Sequence, residues 1–392
     1  MIYHPSDCDD AVVSRHVAGA LGSSITKCQG NGWMVRARHQ PFQQFSQINV
    51  NESGTVLRLV LPLLSITKSK VKVTGVGTLK GRPNQFLIQA LRDRGVNIRG
   101  TGEGESIPVL IKGGTFQPGN ITIDGSLSSQ FISALLIACP QLEGDSRIFI
   151  TGKETVSSDY ITMTLQMLEK AGIKIVRKGN RQYLIKGNQK FKGLKNFYVP
   201  ADYGLAAFLL ACAALVESNV ILRGNLKDDL IQADGRILSL LEKMGVYFTK
   251  TSRAIKIQGP FKLKGKAFSL KDCPDLVPIM AVLALFAEGT TRLYDIEHVR
   301  AKESDRISDL RKELLKIGAA VSEKRNELAI EPQKHYKENC LLDPHNDHRL
   351  AMAFAVLGLK TAVRVKNIGC TAKSYPGFVA DLKALGAKVS VG

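Results

Sequence analysis

One pattern recurs six times along the 392 residues: an apolar helix end, a glycine, and then a short β-prone run. The glycines lie at intervals of 73, 77, 73, 73 and 68 residues. They are Gly22, Gly95, Gly172, Gly245, Gly318 and Gly386. A glycine directly after a helix suits the left-handed conformation in which a side chain would be strained. The spacing therefore predicts six copies of one structural repeat.

A second, strongly apolar helix is predicted in five of the six repeats. Its sequence is apolar on nearly every face, which is typical of a buried helix. Each copy begins with Ser, Asp or Asn, residues that cap free helical N–H groups. The predicted helices start near Asn51, Ser126, Ala201, Cys273 and Asn346.

Short runs rich in β-branched residues, such as KVKVTG, VNIRG, PVLIKG and NITIDG, lie between the helices and predict strands. The fold class is therefore α/β or α+β. Three repeats per domain predict one domain at 1–199 and a second at 200–392, with the boundary in the basic, proline-containing segment 195–200. Gly22 should stand about 70 residues into its repeat, so we expect about 50 residues, including a sixth capped helix, to be absent ahead of Met1.

Composition excludes several classes of protein. The longest apolar stretches, 203–216 and 276–287, are shorter than the roughly 20 residues that cross a bilayer, so we expect no membrane association. Seven scattered cysteines without a C-x-x-C pair indicate reduced thiols and a cytoplasmic protein. The 54 Lys and Arg against 35 Asp and Glu leave a net charge of +19, which attracts anions.

Several cations are placed near predicted helix starts, where they oppose the helix dipole unless an anion binds. One such helix is predicted to begin at Pro83, directly after Arg82, and another to cover 301–318, with Lys302 and Arg306 in its opening turns. Together they indicate a pocket for phosphate or carboxylate groups, and thus a small polyanionic substrate. Carboxylates among them could act as general acid or base, although ion pairing is their commoner role. The cations are Arg58, Arg82, Lys302, Arg306 and Arg349, and the carboxylates are Asp275 and Glu303.

Other kinds of site find little support. His345 and His348 have a helical spacing, but no third ligand accompanies them, so we predict no metal. The chain has no G-x-S-x-G elbow, no Walker A motif and no complete G-x-G-x-x-G, which disfavours a serine hydrolase and nucleotide binding.

Five strings, DIEHVRAKESDRI, NDHRLAM, TAKSYPGF, SSQF and NESGTVLR, resemble the 3-phosphoshikimate 1-carboxyvinyltransferase family, also called EPSP synthases. The resemblance covers nearly the whole chain. It implies the two-domain enolpyruvyl transferase fold, an inside-out α/β barrel of six βαβαββ repeats with the first incomplete here, and an active site in the cleft between the domains.

The resemblance implies transfer of the enolpyruvyl group of phosphoenolpyruvate to the 5-hydroxyl of shikimate 3-phosphate, with release of phosphate and without a cofactor. In that reaction Glu303 would deliver a proton to C3, and Asp275 with Lys302 would act on the hydroxyl. Shikimate 3-phosphate would contact Ser128, Ser129, Gln130, Ser157, Tyr160, Asp275, His298 and Lys302. Phosphoenolpyruvate would contact Gly54, Arg82, Gln130, Arg306, Arg349 and Lys373.

One departure from the family leaves alternatives open. The family carries a Lys-Ser and a following Arg near its N-terminus, and residues 1–50 contain nothing like them. The chain is then either a working enzyme whose start was placed too late or a truncated relative of low or no activity. The sister transferase acting on UDP-N-acetylglucosamine and a nucleic-acid-binding protein are further alternatives. For the enzyme we expect a monomer with small anionic substrates as its partners, and no nucleic acid.

Overall fold

The computed structural model describes residues 1–28, 30–37 and 47–391. Within them the chain forms two compact units, Met1–Val199 and Pro200–Gly392. Each unit has its own hydrophobic core. The segment proposed as a linker contributes a strand to the first unit, because Phe197 and Tyr198 pair with Ile2 and Tyr3.

The first unit alternates helices with short strands. In chain order they are β1 (Ile2–Tyr3), α1 (Asp9–Ala20), β2 (Ser23–Cys28), β3 (Gly32–Ala37), β4 (Gln47–Asn49), α2 (Gly54–Ile66), β5 (Lys70–Thr74), α3 (Gln85–Arg92), β6 (Asn97–Gly100), β7 (Val109–Lys112), β8 (Gly119–Asp124), α4 (Ser129–Ala138), β9 (Ser146–Thr151), α5 (Ser158–Lys170), β10 (Ile175–Lys178), β11 (Gln182–Ile185) and β12 (Phe197–Tyr198).

The second unit continues the alternation. Its elements are α6 (Tyr203–Leu215), β13 (Ser218–Arg223), α7 (Arg236–Lys243), β14 (Phe248–Lys250), β15 (Ala254–Gly259), β16 (Leu263–Lys264), β17 (Ala267–Ser269), α8 (Val277–Leu285), β18 (Ala287–Glu288), β19 (Thr291–Tyr294), α9 (Arg306–Lys316), β20 (Ala320–Lys324), β21 (Glu327–Glu331), β22 (Cys340–Leu342), α10 (His348–Leu357), β23 (Val363–Val365) and α11 (Phe378–Ala384).

The internal repeat is visible in the sheets. Four of them share one arrangement, a parallel pair followed by two antiparallel neighbours: β12-β1-β3-β2, β4-β5-β7-β6, β8-β9-β11-β10 and β17-β19-β21-β20. All six repeat glycines have positive φ, between 79° and 98°. The predictions of a repeat, of its helix-terminating glycines and of a mixed α/β fold are therefore confirmed.

The five predicted apolar helices correspond to α2, α4, α6, α8 and α10, and most of their residues are buried. Four of them have the predicted kind of side-chain cap, from Ser53, Ser128, Asp202 and Asp347. The prediction is wrong for α8, which has no side-chain cap and is preceded by a 3-10 turn, Pro274–Leu276. The carboxylate of Asp275, within that turn, binds arginines instead.

Two predicted helix starts differ from the structure. The helix expected around Lys302 begins only at Arg306, because Asp305 caps it by accepting from the N–H groups of Ile307 and Ser308. The helix expected at Pro83 begins at Gln85. In the described part of the chain no helix is long and apolar enough to span a bilayer.

Candidate functional site

The guanidinium of Arg306, the first residue of α9, is the centre of an ionic cluster in the second unit. Its side chain is 1% exposed and contacts three carboxylates. Nε donates to Asp347 Oδ2 at 2.7 Å, Nη1 to Asp275 Oδ1 at 2.7 Å and Nη2 to Glu303 Oε2 at 3.1 Å. Burial opposes charge on Arg306, but Asp347, Asp275 and Glu303 outweigh it and raise its pKa well above the ordinary value. The cation is therefore permanent.

Asp275 receives three cations. Besides Arg306, Arg349 Nη2 lies 3.1 Å from its Oδ2, and Lys302 Nζ lies 3.9 Å from its Oδ1. Burial alone would raise the pKa of Asp275, but Arg349, Lys302 and Arg306 together hold the pKa well below its ordinary value of 3.8. Asp275 is thus a carboxylate at neutral pH, and it is a weak proton acceptor while the three cations contact it.

Glu303 is the second carboxylate of the cluster with cations on both oxygens. Lys373 Nζ is 3.2 Å from Oε1, while Arg306 occupies Oε2. The side chains of Glu303 and Lys373 are 9% and 7% exposed, so water screens their interaction weakly.

The start of α10 supplies the remaining charges. Asp347 caps the helix by accepting from the Arg349 N–H at 2.9 Å. The same carboxylate binds Arg306, so one side chain serves both the helix cap and the ionic cluster. Arg349 also donates from Nη1 to the Gly204 carbonyl at 3.1 Å, which links α10 to α6.

Two buried histidines in this region are neutral at physiological pH. Burial, with a further contribution from Lys302, lowers the pKa of His298 to about 3. Burial also lowers the pKa of His348 to about 4, against the opposing effect of Glu303 and Asp347. His298 Nε2 and His348 Nδ1 are buried, and among the described residues neither atom has a hydrogen-bond partner.

Arg300 supports the turn that carries Lys302 and Glu303. Its Nη1 donates to both carboxylate oxygens of Asp305, at 3.0 and 2.8 Å, and to Ser308 Oγ at 2.9 Å. Nε and Nη2 donate to the backbone carbonyls of Arg325 and Lys324. One planar side chain thus connects this turn to the start of α9 and to the β20–β21 hairpin.

A smaller polar cluster in the first unit surrounds Arg58, which is 3% exposed in α2. Its Nη1 donates to Gln130 Oε1 at 2.9 Å and to Ser128 Oγ at 3.3 Å. Its Nε donates to Asn84 Oδ1 at 3.2 Å, and the face of its guanidinium lies over Phe131. These bonds connect α2, the start of α4 and the segment before α3.

Gly54, the first residue of α2, provides space for Arg82 in the same unit. A Cβ at position 54 would lie 2.4 Å from Arg82 Nη1, which is closer than real atoms approach. Gln130 reaches back to α2, where its Nε2 donates to Thr55 Oγ1 at 2.9 Å. The structure therefore brings Ser128 and Gln130 against Arg58, and Arg82 against Gly54 at the start of the same helix.

The other predicted residues of this unit lie at neighbouring helix starts. Ser129 is the buried first residue of α4. Ser157 precedes α5 in the left-handed conformation, and Tyr160 lies in the first turn of that helix. The hydroxyls of Ser133 and Thr164, 2.8 Å apart, join α4 to α5.

Within the described residues no group of three or more His, Cys, Asp and Glu side chains is placed to hold a metal ion. His345, considered as a ligand from the sequence, has its Nε2 3.4 Å from Glu313 Oε1 and 3.6 Å from Asp309 Oδ1. Glu313 in turn accepts from Lys316 Nζ and the Asp343 N–H, so its carboxylate is part of a structural network.

Sequence reasoning missed part of both clusters. The sequence patterns indicate no ionic partner for Asp347 or Arg58, and they do not point to Asn84 or Arg300. A signal was present for Asp347, since it directly precedes His348 and Arg349 in an apolar helix, whereas only the folded chain shows what Asn84 and Arg300 contact.

The charges in the second unit are suited to anions. Four cations, Lys302, Arg306, Arg349 and Lys373, share three carboxylates, Asp275, Glu303 and Asp347. An incoming phosphate or carboxylate group can replace a protein carboxylate as the partner of an arginine or lysine. Such an exchange frees Asp275 or Glu303 to take or give a proton beside the bound anion.

Comparison with known proteins decides the family. The model of the EPSP synthase (3-phosphoshikimate 1-carboxyvinyltransferase) family matches residues 1–382. The chain belongs to the EPSP synthase family. A 3-phosphoshikimate 1-carboxyvinyltransferase of Methanococcus aeolicus is 33% identical over 100% of this chain and 91% of the relative. One of Methanosarcina acetivorans is 35% identical over 97% of this chain and 88% of the relative.

Solved structures agree with the EPSP synthase fold. An EPSP synthase from Acinetobacter baumannii matches with a TM-score of 0.79 at 25% identity, over 100% of this chain and 91% of that one. The enolpyruvyl transferase NikO from Streptomyces tendae matches with a TM-score of 0.77 at 17% identity, over 99% and 89%. The enolpyruvyl transferase fold expected from the sequence motifs is therefore confirmed.

Proposed function

We propose that this chain transfers the enolpyruvyl group of phosphoenolpyruvate to the 5-hydroxyl of shikimate 3-phosphate and releases phosphate, as members of the EPSP synthase family do. The observation that carries the proposal is the cluster of four cations and three carboxylates around Arg306, in a chain that carries the family's KESDR and NDHR strings.

In the second unit we assign Arg306, Arg349 and Lys373 to the phosphate and carboxylate groups of phosphoenolpyruvate. All three are buried and charged, so they bind anions with little competition from water. Lys302, Asp275 and His298 are assigned to shikimate 3-phosphate. The buried His298 Nε2 supports this role, because a buried polar atom normally has a hydrogen-bond partner.

In the first unit the proposed contacts to shikimate 3-phosphate are the hydroxyls and amide at the starts of α4 and α5. Free N–H groups and the helix dipole favour a phosphate there. The assigned residues are Ser128, Ser129, Gln130, Ser157 and Tyr160. Gly54, Arg82 and Gln130 are assigned to phosphoenolpyruvate. That one pair of substrates contacts residues of both units stays a prediction.

The proposed chemistry begins with a proton from Glu303 to C3 of phosphoenolpyruvate, which develops positive charge at C2. The 5-hydroxyl oxygen attacks C2 and its proton passes to Asp275, with Lys302 beside it. The tetrahedral intermediate then loses phosphate, a proton from C3 returns to the Glu303 carboxylate as the enol ether double bond forms, and the proton held by Asp275 leaves with the phosphate. Fixed cations stabilise the departing phosphate without having to reorganise at the moment of reaction.

Withdrawal of cations prepares Glu303 for the first step. In the free chain Lys373 and Arg306 both contact its oxygens. When substrate anions attract these two cations, the carboxylate loses part of the charge that favours its ionised form, so it can take up from solvent the proton that it then delivers to C3. The same exchange at Asp275 moves Arg349 and Arg306 toward the substrate. Binding and proton transfer are thereby linked through the same side chains.

We further propose that the protein acts as a monomer in the cytoplasm on small anions and not on nucleic acid. None of the seven cysteines forms a disulfide bond, which suits a reducing compartment. No observation in the structure favours the UDP-N-acetylglucosamine transferase alternative.

The test is phosphate release by the purified chain with phosphoenolpyruvate and shikimate 3-phosphate together and each alone. Release that needs both substrates supports the proposal. No release from the folded chain contradicts it, and so does equal release with phosphoenolpyruvate alone. Glu303→Gln should lower kcat by about 100-fold or more, the range of general acid catalysis, while Glu288→Gln, on the exposed end of β18, is the matched control.

A further inference from the structure

The solvent face of the β4-β5-β7-β6 sheet in the first unit carries a cluster of positive charge. Four exposed cations lie on three neighbouring strands: Lys70 and Lys72 on β5, Lys112 on β7 and Arg99 on β6. Their backbone partners across the sheet place Lys70 opposite Lys112, and Leu110 between Lys72 and Arg99. We call these four side chains the sheet cations.

These cations line a groove of about 560 Å³ over the sheet. No carboxylate lines it, and within the described residues none of the four cations has an ion-pair partner. Like charges directly opposite on adjacent strands, with Cβ atoms only about 5 Å apart, destabilise a sheet. Lys70 and Lys112 therefore oppose folding unless an anion neutralises them.

A sheet with the same strand arrangement in the second unit balances its charges. On the outer face of β17-β19-β21-β20, Arg292 of β19 lies 2.5 Å from Glu327 of β21, and Lys324 of β20 lies 3.6 Å from the same carboxylate. The repeat can thus accommodate an acidic partner for a cation on this face. The first unit has Leu110 and Asn97 where such a partner could stand.

The groove has the dimensions of a small-ligand site. Protein interfaces bury about 800 Å² per partner around an apolar centre, and Leu110 is the one hydrophobic side chain among the described residues of the groove that is not buried. Single-stranded nucleic acid is held by aromatic side chains, and among the described residues no aromatic side chain lines the groove. Pockets for small molecules are about 300–1,000 Å³ in volume.

We propose that the sheet cations form a binding site for a small anion with a chain of phosphates, separate from the enolpyruvyl transfer chemistry. The sheet cations form two rows, one of Lys70 and Lys112 and one of Lys72 and Arg99. The rows are about 7 Å apart along the strands, which is the spacing of residues i and i+2. A linear polyphosphate spans both rows. The shared chemistry covers inorganic polyphosphate and the phosphate chain of a nucleotide.

The experiment measures protection of lysine side chains in the full chain against acylation, read out by mass spectrometry, with inorganic tripolyphosphate as the probe. Protection of Lys70, Lys72 and Lys112 at probe concentrations that leave Lys174, Lys178 and Lys190 reactive supports the proposal. These three reference lysines are exposed in the same unit. Equal protection of both sets, or none, overturns it.

A matched pair of variants tests affinity by calorimetry. Replacing Lys72, Arg99 and Lys112 by Gln should abolish one class of tripolyphosphate binding or weaken its Kd by about tenfold or more. The control, Gln at Lys174, Lys178 and Lys190, removes the same charge from the same unit and should retain that class. If both variants lose binding equally, only the net charge matters and the site is refuted.

Two further probes identify the source of the phosphates. Stronger protection of the sheet lysines by ATP than by tripolyphosphate indicates a nucleotide, and the reverse indicates free polyphosphate; both support the site. A short DNA duplex that protects them at lower phosphate concentration than either small anion overturns the proposal in favour of a nucleic-acid backbone. Phosphate release from the two transferase substrates should be the same in the Gln variants as in the unaltered chain.

Discussion

At residue 54 the absence of a side chain determines where an arginine lies. Arg82 Nη1 occupies the position that a Cβ of residue 54 would approach to 2.4 Å. Gly54→Ala should therefore displace the Arg82 guanidinium, although alanine itself is favourable in a helix. We expect a KM for phosphoenolpyruvate raised by about tenfold, equivalent to 1.4 kcal/mol, with little change in the free energy of unfolding.

Gly81→Ala is the control for this prediction, because a Cβ at residue 81 meets nothing within 4 Å. Steady-state kinetics and urea unfolding of both variants decide the matter. An unchanged KM in Gly54→Ala would show that Arg82 does not bind phosphoenolpyruvate.

His298 should make folding stability depend on pH. Burial holds its pKa at about 3 in the folded chain, below its ordinary value of 6.5. Below pH 6.5 the unfolded chain binds a proton that the folded chain takes up only near pH 3, so acid favours unfolding. The contribution of neutral His298 to folding stability is complete above pH 6.5 and is lost as the pH falls from 6.5 toward 3.

His298→Gln tests this dependence in urea unfolding between the two pKa values. It should reduce the slope of the unfolding free energy against pH by up to about 1.4 kcal/mol per pH unit. His335→Gln, at an exposed position, is the control for the loss of one imidazole. Identical slopes in the His298→Gln and unaltered chains would contradict a buried neutral His298.

Among the elements, the turn before α9 depends on Arg300. This side chain makes five hydrogen bonds, three of them to Asp305 and Ser308 at the start of α9. Lys302 and Glu303 lie between these attachment points. A lysine at 300 keeps the charge but cannot form this planar set of bonds. Arg300→Lys should therefore leave the turn less well positioned and lower kcat by about tenfold, since small displacements of catalytic groups are costly.

Arg325→Lys serves as the comparison, because Arg325 is 84% exposed and pairs with Glu297 on the surface. It should change both kcat and unfolding by little. The Arg300→Lys loss should appear in kcat with a change in unfolding free energy below about 1 kcal/mol. A large loss of stability with unchanged kcat would mean that Arg300 supports only the fold.

For the molecule as a whole, the net charge of +19 should accelerate the encounter with anionic substrates. Salt screens such attraction, with a Debye length near 10 Å at about 0.1 M. We expect kcat/KM for phosphoenolpyruvate to fall severalfold as sodium chloride rises from about 20 to 200 mM, while kcat at saturating substrate changes little. Potassium chloride at equal ionic strength should act in the same way; dependence on the identity of the cation would contradict screening.

Much of the architecture was accessible from the sequence because its determinants are local. A glycine after a helix, a polar cap before an apolar run and a β-branched segment each act on neighbouring residues, so the repeat, the five buried helices and the strands at Lys70–Thr74 and Gly119–Asp124 were predicted. The predicted helix starts were less accurate where a side chain can either cap a helix or bind elsewhere. Asp305 caps α9 four residues after the expected start, and Asp275 binds arginines instead of capping α8.

The candidate site also has features that the sequence predicts and features that depend on the folded chain. The strings KESDR and NDHR resemble the family that the comparisons confirm, and they contain four of the proposed site residues, but they do not reveal the partners of those residues. Arg306 binds Asp347, which is 41 residues away in the sequence, and Arg58 binds Gln130, which is 72 residues away. Which carboxylate binds which cation, and how far burial shifts each pKa, depends on helices brought together by the core. The sequence by itself therefore determined the repeat and the family and predicted anionic substrates; only the tertiary structure decided the ionic contacts, because they join residues that no local rule places together.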